Sequence, residues 1–104
     1  MKGIQKKILD FRDERDWKKY HNEKDLAISI SLEANELLEN FQWRNSEEAI
    51  AKSKQNIKEE MADILIYLVQ LADKMGINLE EEVTNKLVKN AIKYPVGKSE
   101  EKIK

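Results

Sequence analysis

The run Ala62-Asp-Ile-Leu-Ile-Tyr-Leu-Val-Gln-Leu-Ala72 decides the fold. Its apolar side chains fall on nearly every side of a 3.6-residue helix, the pattern of a helix covered by its neighbours. Downstream, Gly76 stands just past Met75, where a helix end wants a left-handed residue. The long helix therefore spans about 54–75. Asn78 with Glu81 three residues later resembles a capping box and opens a last helix, Leu79 to Tyr94, which Pro95 and Gly97 stop. Upstream, Asn45 or Ser46 caps a short amphipathic piece carrying Ala49 and Ile50, after a connection at 42–45. A second helix runs from Glu23 to Phe41, capped by Asn22 with Glu23 and Asp25 in its first turn. The first segment, Gly3 to Tyr20, sets Ile4, Ile8 and Phe11 at helical spacing. No stretch alternates with the period of a strand. The expected fold is all-α: a helical bundle of about four main helices over residues 1–97, with 98–104 as a frayed tail.

Composition narrows the chemistry. The 104 residues hold 19 Lys+Arg against 20 Asp+Glu, one histidine and no cysteine. A net charge of −1 argues against a nucleic-acid footprint. Thiolate catalysis, disulfides and Cys- or His-rich metal sites are excluded. No apolar run approaches the ~20 residues of a membrane span, and residues 1–10 lack a signal-peptide core, so a cytoplasmic protein is expected. What remains are carboxylates, amines, hydroxyls and hard metal ions. A chain this short, built of long helices, cannot cover its own apolar faces, and self-association is expected.

Two acid pairs stand out by position. With Leu26 at zero on the second helix, Ala27, Ile30, Ala34, Leu37, Leu38 and Phe41 form a stripe between roughly 20° and 120°. Ile28 and Leu32 make a second apolar patch, and Glu33 and Glu36 fall in the notch between the two. On the long helix, Asp63 is the one acid inside the apolar run, with Glu60 a turn before it and Tyr67 a turn after it. An isolated buried carboxylate must find a cation or take up a proton. Either these acids are ion-paired with lysines, or the two pairs face each other as a four-carboxylate cluster. Such a cluster calls for a hard divalent ion, Mg²⁺ with Mn²⁺ as substitute. On the last helix Lys86, Asn90 and Lys93 share a stripe suited to polyphosphate, beside an apolar face of Val83, Leu87, Ala91 and Tyr94. Trp17, His21 and Trp43 sit at helix ends, where they either pack or line a pocket mouth and stack on a base, and Phe11 is read as core.

Glu33-Ala-Asn-Glu36 and Glu60-Met-Ala-Asp63, with 23 residues between them, resemble the E-x-x-E…E-x-x-D signature of the MazG-like all-α nucleoside triphosphate pyrophosphohydrolases. Glu-Arg-Asp-Trp at 14–17, Phe-Gln-Trp at 41–43, Ala-Asp-Ile-Leu-Ile-Tyr at 62–67 and Lys-Asn-Ala-Ile-Lys-Tyr-Pro at 89–95 resemble the dCTP pyrophosphatase branch. The resemblance implies a dimeric or tetrameric bundle that converts a nucleoside triphosphate and water to monophosphate and pyrophosphate, cleansing the nucleotide pool. It implies Glu33, Glu36, Glu60 and Asp63 as catalytic Mg²⁺ ligands. Trp17, His21, Trp43 and Tyr67 would meet the base or sugar, and Lys86, Asn90, Lys93 and Tyr94 the triphosphate. Two positions depart from the pattern. Leu32 stands where MazG proper often has an acid, and Ile8 stands near where dCTP-type members can carry a histidine. Related substrates (dUTP, purine or damaged nucleotides, phosphoribosyl-ATP) and a non-catalytic helical nucleotide-binding or oligomerisation module are the competing readings.

Overall fold

The computed structural model describes residues 1–97; the tail expected at 98–104 lies outside them. Among the described residues every regular element is helical: α1 (Lys2–Glu14), a single 3₁₀ turn (Lys18–Tyr20), α2 (Glu23–Glu39), α3 (Ser46–Met75) and α4 (Leu79–Lys93). The asparagine caps are in place. The side-chain oxygens of Asn22, Asn45 and Asn78 accept from the backbone N–H of Asp25, Glu48 and Glu81 at 2.8, 2.9 and 3.1 Å. Asn45, not Ser46, is thus the cap of α3. Gly76 closes that helix with φ 66°, and Ile77 N–H returns to the Ala72 carbonyl at 2.9 Å.

Three boundaries differ from the sequence expectation, each for a local reason. The first helix stops at Glu14 and not at Tyr20. Asp16 adopts a left-handed φ of 54°, and Trp17 N–H turns back to the Arg12 carbonyl at 3.1 Å. This is a Schellman close made with Asp where glycine is usual, sealed by Trp17 packing edge-on against Phe11 at 5.8 Å. α2 stops at Glu39, short of Phe41, because the Asn40 amide donates back to the Glu36 and Leu37 carbonyls at 3.2 and 3.3 Å. The short piece and the long helix are continuous as α3. Their expected junction survives as a kink at Ser53 (φ −124°, ψ 20°), whose hydroxyl accepts from Arg44 at 3.0 Å.

α2 and α3, joined by residues 40–45, form the main packed pair, and α1 lies against α3 less extensively. Leu26, Ala49, Val69 and Ala72 are the buried apolar centre. Asn56 donates to Asn40 at 2.9 Å and ties the two long helices beside that centre. Arg12 holds α1 down. Only 4% exposed, it donates to Asp73 on α3 and to Asp13 at 2.9 Å each. α4 scarcely touches the bundle; its start is tied to α1 by the amino group of Met1 and Glu80 at 3.3 Å.

The chain is consequently spread out. Its radius of gyration is 16.7 Å, where a compact domain of this length has ~13 Å. The run 62–72, read as covered all round, is buried only at Val69, Gln70 and Ala72 within one chain, and Ile66 and Leu68 remain exposed. Phe11, read as core, is half exposed under the Arg15 guanidinium, which stacks 3.6 Å from its ring centre. The apolar face of α4 that carries Val83 and Leu87 is bare, and Ile92 on the opposite side of the helix is exposed as well.

Asp73→Ala should leave Arg12 buried with one acid partner in place of two, costing about 2 kcal/mol. For a domain of this size that lowers the unfolding midpoint by roughly 10 °C, measured by circular dichroism.

Candidate metal and nucleotide site

α2 and α3 cross so that Glu33, Glu36 and Glu60 converge. One carboxylate oxygen from each lies within 4.8 Å of the others, an arrangement able to hold a metal ion. Glu33 and Glu60 are half-buried and Glu36 is exposed. Oε2 of Glu33 and Oε2 of Glu60 are sealed from solvent and receive no hydrogen bond among the described residues. Acceptors in that position need a proton or a cation. Burial, together with a proton shared toward Glu60 and the charges of Glu36 and Glu60, pushes the Glu33 carboxyl up to about 8 from an ordinary 4.5. For Glu60 the hydrogen bond from Glu33 favours the ionised form. Burial and the charges of Glu36 and Asp63 outweigh it, so its affinity for a proton is raised as well. The three acids behave as one over-charged group short of a cation.

On one side of the cluster opens a polar cleft of about 530 Å³, lined by Glu36, Glu60, Asn40, Asn56, Arg44 and Trp43 among others. Trp43 is fully exposed and held at a left-handed φ of 62° by the turn that follows α2. A second, apolar cavity of about 450 Å³ lies between α1 and α3, walled by Ile8, Phe11, Trp17 and Ile66. Asp63, His21 and Tyr67 also line it. Burial, then the charges of Glu33, Asp63 and Glu36, hold the Tyr67 phenol protonated beyond its ordinary range, so it remains a hydrogen-bond donor.

The expected site residues thus fall into three groups. Glu33, Glu36 and Glu60 meet. Asp63 stands a turn further along α3, outside that tight set but close enough for its charge to act on Glu60; it faces the apolar cavity with Trp17, His21 and Tyr67. No cation pairs with Asp63 among the described residues, so the lysine partner that a purely structural reading requires is not found there. Lys86, Asn90, Lys93 and Tyr94 line neither cavity, and within one chain Lys93 lies over the Tyr94 ring at 5.4 Å. Sequence reasoning missed Arg44 and Asn56 in the cleft, and Gln70 in the cavity. Gln70 carried a signal: it is the one amide in the run 62–72 and lies seven residues beyond Asp63.

The described residues thus form an all-helical chain with a carboxylate cluster able to hold a metal ion, a polar cleft that includes two of its acids, and an apolar cavity that Asp63 lines. Comparison with known proteins gives this class its family. The sequence matches the MazG-like family over residues 28–104, and the chain belongs to that family. It is 34% identical over 101 residues to dCTP pyrophosphatase 1 of Mus musculus, covering 92% of this chain and 59% of that protein. Against dCTP pyrophosphatase 1 of Homo sapiens it is 32% identical over 100 residues, covering 91% and 59%. The chain therefore spans about three-fifths of the length of these relatives. The crystal structure of a pyrophosphatase from Archaeoglobus fulgidus superposes with a TM-score of 0.83 at 47% identity, covering 91% of this chain and 92% of that one.

A stability profile tests the cluster without any ligand. Folded Glu33 keeps its proton to about pH 8, whereas the unfolded chain releases it near 4.5. Between those values the native state binds more protons than the unfolded one, so stability falls as pH rises through that window. Thermal melts in EDTA from pH 4.5 to 8.5 should show this decline, and Glu33→Gln should flatten it.

Proposed function

We propose that the protein is a Mg²⁺-dependent nucleoside triphosphate pyrophosphohydrolase. It converts a triphosphate and water to the monophosphate and pyrophosphate, with dCTP or a modified pyrimidine deoxynucleotide as substrate and removal of unwanted nucleotides as its role. The observation that carries this reading is the pair of sealed, donorless oxygens of Glu33 and Glu60 within a three-acid cluster, beside a cavity with room for a base. The pyrophosphatase names of the relatives and of the structural neighbour support the reaction class.

Glu33, Glu36, Glu60 and Asp63 would hold the ion; all-oxygen ligation suits Mg²⁺, and Mn²⁺ as substitute. When bound, the ion supplies charge neutralisation at the phosphates and an acidified water. The water oxygen bonds to the α-phosphorus as the bond to the bridging oxygen of the leaving pyrophosphate breaks. A carboxylate of the cluster accepts the proton that the water loses. Trp17 and Trp43 offer flat faces for the base, and the protonated Tyr67 hydroxyl can donate to sugar or base.

A triphosphate carries more negative charge than Arg44 in the cleft and Lys7 in the cavity can balance, and neither cavity contains α4. We therefore place Lys86, Asn90, Lys93 and Tyr94 of a second copy against the phosphates, in a dimer or tetramer that covers the bare face of α4. The radius of gyration, above that of a compact domain, and the exposed Val83 and Leu87 support that assembly.

Incubation with a panel of nucleoside triphosphates, with and without Mg²⁺, should release monophosphate and pyrophosphate only with the metal. Diphosphate plus orthophosphate would move the cut to another bond and overturn the reading. Glu60→Ala and Asp63→Ala should each lower kcat about a thousandfold, a loss of ~4 kcal/mol of transition-state stabilisation, with helicity unchanged. Sedimentation should give a mass of two or four chains. Val83→Glu with Leu87→Glu should yield monomers that have lost turnover, and full activity as a monomer would refute the shared site.

A further inference from the structure

The apolar cavity holds a buried amide that the proposed reaction has not used. Gln70 is 9% exposed and lines the apolar cavity with Ile8, Phe11, Trp17 and Ile66. Its amide makes no hydrogen bond among the described residues, yet neither amide atom is sealed by protein. Arg12, which lines the same cavity, is committed elsewhere, its guanidinium held by Asp13 and Asp73 at 2.9 Å each. A primary amide in an apolar wall costs stability unless something completes it. The cavity is open to a ligand that could do so.

Position along α3 indicates which part of a ligand that is. Asp63, Tyr67 and Gln70 follow at i, i+4 and i+7 on one stripe of the helix. At ~1.5 Å per residue the acid end and the amide end of that stripe are ~10 Å apart. That separation matches the reach from the α-phosphate of a nucleotide to the far edge of its base. With phosphates at the Glu60–Asp63 end, the base enters between Trp17 and Ile66 with its polar edge toward Gln70.

We propose that Gln70 reads the hydrogen-bonding edge of the nucleobase. This inference rests on the reading of the acid cluster as the phosphate end of a nucleotide site. The amide presents a donor and an acceptor side by side, and a half-turn about its last torsion exchanges them. It therefore matches an amine beside a ring nitrogen, as in cytosine, and equally a carbonyl beside a ring N–H, as in uracil. Gln70 selects for an edge that offers one donor and one acceptor, while the apolar walls supply affinity without base identity.

Two substitutions separate this role from packing. Gln70→Glu keeps the shape but removes the donor that the acceptor on either edge needs, so KM for dCTP and for dUTP should each rise about tenfold with kcat held. Gln70→Met keeps the volume and should raise KM for both substrates about tenfold with kcat held. Unchanged KM for both substrates in either variant would overturn the proposal while leaving the hydrolase reading intact. Calorimetry with dCMP and dUMP gives a readout that needs no turnover. If the wild type hydrolyses no triphosphate yet binds both monophosphates, and Gln70→Met weakens that binding about tenfold, the hydrolase reading fails and the base contact stands. Failure of the wild type to bind either monophosphate overturns the base contact.

Discussion

Three carboxylates pressed into one small volume govern this structure. The packing of α2 on α3 that buries Leu26 and Ala49 is the same packing that brings Glu33, Glu36 and Glu60 together. Core burial therefore works against electrostatic repulsion, and the hydrophobic contact must exceed it for the chain to fold without a cation. The compromise is visible in the chemistry: Glu33 keeps a proton far above its ordinary range, and two oxygens are left sealed without a donor. Natural chains retain such unfavourable arrangements where a ligand relieves them.

The helix ends supply the rest of the site. Each turn around the cluster is closed by a side chain that does local work and presents a neighbour to the cavity. Asp16 in the left-handed region ends α1 and swings Trp17 to the cavity wall. Asn40 ends α2, accepts from Asn56, and leaves Trp43 projecting at the lip of the polar cleft. Arg44 reaches the kink at Ser53 from the same turn. Left-handed backbone thus occurs at Trp43 itself and at Asp16, the residue before Trp17, next to the two tryptophans that line the cleft and the cavity.

α4 stands apart in character. Its apolar positions recur at helical spacing, so the helix forms, but no other helix among the described residues packs extensively on that face. A helix of this kind draws its stability from packing more than from propensity. The bareness of α4 and the partial exposure of α3 are two aspects of one fact: the described chain is too thin to enclose its own hydrophobic surface.

The sequence by itself determined the helices, their asparagine caps, the Gly76 stop and the candidate acids. These depend on short-range rules of spacing, capping and charge that act within a few residues. It also placed a break near Ser53, without showing that the helix continues through it. Only the tertiary structure decided which acids meet. Glu60 and Asp63 are one turn apart, yet Glu60 joins Glu33 and Glu36 while Asp63 faces the apolar cavity. That difference is set by the crossing of α2 over α3, a contact between residues far apart in the chain. Gln70 shows the same limit. Its place on the Asp63–Tyr67 stripe was legible, but its burial and its unpaired amide come from α1 lying across α3, held there by Arg12 and Asp73. Local pattern fixes what a helix is, and the direction in which its neighbours approach decides what each of its faces can do.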